Sequence, residues 1–177
     1  MRKFGISLLF FITFIIIYLL QANLFPSLQI AGVMPNLFII LILWIGLFTN
    51  TTQAITFGII MGLSLDFIYG KVIGITAVMF CIIGYLGAYF DKNFSKESKL
   101  MIVVMVIGAT IIYELGYYSL NGLIIGFDFE WLHFMRIVIF EVIYNVLITI
   151  LLYPLIQTLG YKVDRVFKRN NILTRYF

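Results

Sequence analysis

The chain has 177 residues, of which 63% are hydrophobic, 18% aromatic and only 11% charged, with a formal net charge of +4; its mean hydropathy is +1.09. A soluble domain of this length carries about a quarter of its residues as Asp, Glu, Lys or Arg, so the water-facing shell is missing and lipid or other helices must surround most side chains. The basic excess does not point to nucleic acid, because Lys and Arg sit at the ends of apolar runs and form no stripe.

Met1-Arg2-Lys3 opens on an apolar run like the start of a signal peptide. Leu20-Gln21-Ala22 lacks the small-x-small cleavage pattern, and further spans follow, so the run reads as an uncleaved first helix. No charged residue lies between Lys3 and Asp66, about three times the ~20 residues that one crossing needs. Punctuation by polar residues, Pro and Gly divides the chain into spans at 4–20, 35–48, 54–69, 72–90, 100–120 and 131–155, followed by a basic tail at 156–177. Backbone groups in lipid must be satisfied within their own segment, and the runs show no period of two, so helices are expected and a β-barrel is not. The fold class is thus an all-α integral membrane protein, a single polytopic domain of six transmembrane helices.

Six spans put both termini on one side together with Lys92, Lys96, Lys99, Lys162 and Arg165, leaving Lys71, Arg136, Asp128 and Glu130 on the other. Excess Lys and Arg mark the cytoplasmic face, so both ends are expected in the cytoplasm. The tail interleaves its basic residues with apolar ones, as a stop-transfer anchor does, or a segment lying on anionic lipid.

Asp66, Glu114, Arg136 and Glu141 fall inside the spans, all toward the non-cytoplasmic half. A mid-bilayer charge costs about 2.5–3.5 kcal/mol on insertion scales, so each should face protein or water. Arg136 is placed to pair with Asp66 or Glu114, while Glu141 and Asn145 share a helix face at i,i+4. Two readings stay open, a polar pocket or path and an ion-paired cluster locking helices three, five and six. Gly58-x-x-x-Gly62 permits close helix contact, within the fold or with a partner. His133 beside Trp131 reads as an interfacial anchor, and Trp44 and Tyr117-Tyr118 as lipid-facing or packing aromatics. Neither a metal-ligand spacing nor a nucleophile elbow nor a phosphate-binding loop occurs, and Asp66 is the only aspartate inside the runs, so no aspartic dyad forms. No enzyme, metal or cofactor is expected.

Met34-Pro35-Asn36-Leu37 opening the second span, Gly58 to Gly70 with Gly62 and Asp66 in the third, then Gly74, then Gly84-Tyr85-Leu86-Gly87, resemble in order and spacing the rod shape-determining MreD family, from about Pro35 to Gly87. That resemblance implies a non-catalytic component of the bacterial side-wall peptidoglycan machinery. Its implied partners are the bitopic shape protein MreC, and in the same assembly MreB, RodA and its penicillin-binding transpeptidase. It also implies a fold similar to the substrate-binding S-components of energy-coupling-factor vitamin transporters. A small-solute transporter subunit is therefore the rival reading, although span 4–20 contains no alanine for the Ala-x-x-x-Ala docking pattern of such subunits. On the scaffold reading Pro35, Asn36, Gly58, Gly62, Asp66, Gly70 and Gly74 are the candidates for partner binding or packing.

Overall fold

The computed structural model of the protein describes residues 2–69, 72–94, 98–126 and 130–167. Within them the chain forms six helices and no strand: α1 (Arg2–Asn23), α2 (Leu37–Phe48), α3 (Thr51–Tyr69), α4 (Ile75–Asn93), α5 (Lys99–Ile125) and α6 (Trp131–Phe167), with a 3-10 turn at Phe25–Leu28. Five of the six are long and apolar enough to cross a membrane. The protein is a multi-pass helical membrane protein, as the composition requires.

The exception is α2. Its 12 residues rise about 18 Å, well short of the ~30 Å hydrocarbon thickness. Eleven of those residues are buried, which fits a helix apolar on every face. The expected span 35–48 is thus shorter than a crossing: Pro35 and Asn36 precede the helix, which begins at Leu37. The segment between α1 and α2 supplies the missing depth by folding back on itself. Ile30 and Val33 exchange both backbone hydrogen bonds, at 3.2 and 3.0 Å, across a two-residue turn in which Ala31 (φ 54) and Gly32 (φ 76) are left-handed, the geometry of the tight hairpin turn. The Tyr144 hydroxyl on α6 donates to the Leu28 carbonyl and fastens this segment to the bundle.

Phe10 packs on Phe57 and Tyr18 on Tyr69, so α1 runs parallel to α3. At the other extreme, Gly160 of α6 lies on the ring of Phe48, and Asn50 donates to the Phe167 carbonyl at 3.4 Å. The helices therefore alternate in direction, with the Arg2 end of α1 and the Phe167 end of α6 at the same end of the bundle, called here the basal end. Lys92, Lys99, Lys162 and Arg165 gather there, and Arg136 lies toward the distal end.

The last helix also departs from the sequence reading, which ended the sixth span at 155. It continues through Pro154 to Phe167, 37 residues in all, or about 55 Å. Gln157, Gly160, Val163 and Phe167 are buried along its last turns, so the first part of the expected tail packs on α2 as helix. The rest of that tail, 168–177, lies outside the described residues. The exposed apolar residues of α1 and of α3 to α6 form the surface that meets lipid.

Candidate functional site

Asp66 closes the α3–α4 hairpin. Its carboxylate accepts from the backbone N–H of Gly74 at 2.8 Å and from those of Thr76 and Ala77 at 3.2 Å each. These groups open α4, where the first N–H donors have no partner within the helix and the helix dipole favours an anion. Gly74 sits at the cap with φ 105, a conformation open to glycine at little cost. Gly70 lies outside the described residues.

Arg136 is not the counter-ion expected for Asp66 or Glu114. It is exposed, and its guanidinium lies against Gly32 in the turn before α2, with Nη2 3.9 Å from where a Gly32 Cβ would stand. Asp66 is held by backbone donors instead.

Glu141 and Asn145 do share the inner face of α6, both buried. Asn145 is a three-way junction: its Oδ1 accepts from the Asn36 backbone N–H at 2.8 Å, and its Nδ2 donates to Thr110 Oγ1 at 3.0 Å. It joins the start of α2 to α5 and α6 at the depth where α2 begins. Glu141 contacts the side chains of Asn36, Asn145 and Glu114. The structure thus brings Glu114, Glu141, Asn145 and Asn36 together and places Asp66 and Arg136 apart from them.

The glycines face inward. A Cβ on Gly58 would lie 2.6 Å from the Phe80 carbonyl oxygen, and one on Gly62 would lie 2.7 Å from the Ala77 nitrogen, so α3 meets α4 backbone to backbone. Gly87 of α4 meets Gly46 of α2 in the same way, with a Cβ 3.0 Å from the Gly46 Cα. Pro35 is buried, and its carbonyl accepts from Gln21 Nε2 at 2.9 Å. Each described member of the set proposed from sequence for partner binding or packing makes contacts inside the fold.

Two concavities stand out among the described residues. The larger, about 580 Å³, lies at the distal end between α1, the 24–36 segment and helices α2 to α5, and is walled by Tyr18, Tyr69, Tyr113, Tyr117, Phe38 and Phe80 with Gln21, Asn36 and Thr76 as its polar contributors. The other, about 320 Å³, is an apolar groove running between α1 and α6 with α2 as its floor. Trp44 lines it, stacked on Phe48 at 5.5 Å, and its indole N–H is buried with no partner. Of these residues the sequence singled out only Asn36 as a candidate. Tyr117 and Trp44 look like any membrane aromatic, and Gln21 and Thr76 like the ends of spans. A further signal was Gln21, an amide side chain near the end of a helix whose one other amide is Asn23.

No curated protein and no solved structure matches the chain. A protein-family model does, that of the rod shape-determining protein MreD, over residues 1–163, which extends the likeness seen between Pro35 and Gly87 through α5 and most of α6. With a six-helix membrane bundle and a match over nearly its whole length, the chain belongs to the MreD family, and its role is in rod-shape determination.

Proposed function

We propose that this protein is a non-catalytic scaffold of the side-wall peptidoglycan machinery, and that it holds the single transmembrane helix of MreC in the groove between α1 and α6. The observation that carries this reading is the groove itself. Its walls run from Leu9 to Leu20 on α1 and from Leu152 to Val163 on α6, over a floor from Leu37 to Phe48 on α2, about 18 Å in all, which takes about three turns of a crossing helix. Only Thr13 and Gly160 interrupt its hydrophobic lining. Lipid tails are as apolar as Leu, so association of helices in a membrane depends on fit and on a few polar contacts. The unpartnered Trp44 N–H supplies such a contact for a carbonyl or hydroxyl oxygen on the incoming helix. This is a different surface from the α3 glycines, which the fold itself occupies.

Lys92, Lys99, Lys162 and Arg165 at the basal end favour a cytoplasmic-membrane orientation with that end inside, where it meets anionic lipid. MreC would then connect the bundle to MreB, RodA and the transpeptidase. The test is recovery of MreC with the tagged protein from native membranes. Filling the groove with Thr13→Trp plus Leu155→Trp should lower that recovery about tenfold, a loss of ~1.4 kcal/mol, at unchanged protein level, and the cells should round up. Unchanged recovery with co-purified lipid would assign the groove to acyl chains. The distal cavity favours a second reading, a solute-binding transporter subunit, which recovery of an ATPase pair in place of MreC would establish.

A further inference from the structure

We propose that the distal cavity is a binding site for a small amphiphilic amine, one with an aromatic or alkyl body and a primary ammonium head. The site is separate from the partner groove and does not depend on it.

Its unmet hydrogen-bonding capacity is of one kind. Gln21 Oε1 and Asn36 Oδ1 are buried without partners, and both residues line the cavity. Their amide orientations follow from their other bonds: Gln21 donates through Nε2 to the Pro35 carbonyl, and since Asn36 Oδ1 has no partner, its contact with Glu141 is made by the amide nitrogen. Each therefore presents an acceptor. Behind Asn36, Glu141 is 5% exposed and also has an unpartnered carboxylate oxygen, Oε1. A buried acceptor left unpaired costs about 1–3 kcal/mol, so three near one cavity call for a ligand that brings donors. An ammonium brings three.

The walls fit the rest of such a molecule. Tyr113 and Tyr117 stack at 5.8 Å on one side, and Tyr18 meets Tyr69 at 5.7 Å on another. Aromatic faces attract cations and cover planar or alkyl bodies. A volume of about 580 Å³ is within the range of small-molecule sites, which are mainly apolar with a few convergent polar groups. Gln21 and Asn36 present acceptor oxygens on this wall, so an anionic ligand finds no partner in them.

The probe is phenethylammonium, with 3-phenylpropionate as its anionic counterpart, titrated calorimetrically into the full-length protein in phosphatidylglycerol nanodiscs. Phenethylammonium should bind and 3-phenylpropionate should not. Gln21→Leu should weaken binding about tenfold, the equivalent of one hydrogen bond to a charged group. Leu65→Trp, which fills the cavity from α3, should abolish it while the helical circular dichroism is retained. Repeating the titration in phosphatidylethanolamine nanodiscs identifies the source of the amine. Loss of probe binding there would mean that a lipid headgroup supplies the ammonium, and an unchanged affinity that a soluble amine does. No binding at millimolar probe, equal binding of the two probes, or wild-type affinity in both variants would overturn the proposal.

Discussion

At Asp66 a carboxylate that the sequence places in an apolar run finds three backbone donors at the start of α4. Removing such a cap leaves helix-end N–H groups unsatisfied, at about 0.5–2 kcal/mol for a typical N-cap and more where water is excluded. Asp66→Ala should therefore lower the thermal melting point in detergent clearly, and Asp66→Asn, which keeps an acceptor oxygen, should do so less. Arg136→Ala should stay within about 0.5 kcal/mol of the parent, as for surface substitutions in general. That order reverses what an Arg136 ion pair with Asp66 or Glu114 would give, so one melting series separates the two accounts. The presence of ionisable residues in the spans was legible in the sequence, but their partners were not. Spacing along a helix identifies neighbours on that helix, as for Glu141 and Asn145, and says nothing about a backbone donor eight residues on. Asn36 was singled out for its place in a motif, and its bond to Asn145 from 109 residues away has no local signature.

The hairpin of α3 and α4 is the tightest pairing in the bundle, because small residues let two backbones approach. Gly62→Ala should disrupt it, since the added Cβ meets the Ala77 backbone and not a side chain that can swing away. Overpacking of this kind costs about 1–3 kcal/mol, and the expected readout is loss of the monodisperse peak in size-exclusion chromatography. Gly108→Ala, with nothing within 4 Å of the new Cβ, is the matched control and should behave as the parent. The existence and order of all six helices could be read from hydropathy. The shortness of α2 could not, because a continuous apolar run looks the same whether it faces lipid or is enclosed by protein. Nor could the extension of α6. Pro154 and the basic residues beyond it suggest an end, yet proline removes only one backbone bond, and Gly160 and Val163 keep the helix packed on α2.

For the whole molecule, the arrangement divides the labour between two ends and one side. The basal end collects positive charge, the distal end holds the aromatic cavity, and the α1–α6 side carries a groove beside the least buried helix, α1, whose span is only 11% buried. A helix packed so lightly on its own chain leaves apolar surface open to a neighbour, in keeping with the scaffold proposed above. The most direct test of that claim is site-specific photo-crosslinking in growing cells, with a photoreactive residue at Ile16 or Leu155 in the groove, or at Val104 on the exposed face of α5. The account predicts an adduct with MreC from the two groove positions and none from Val104. Adducts with MreC from Val104 alone would contradict it.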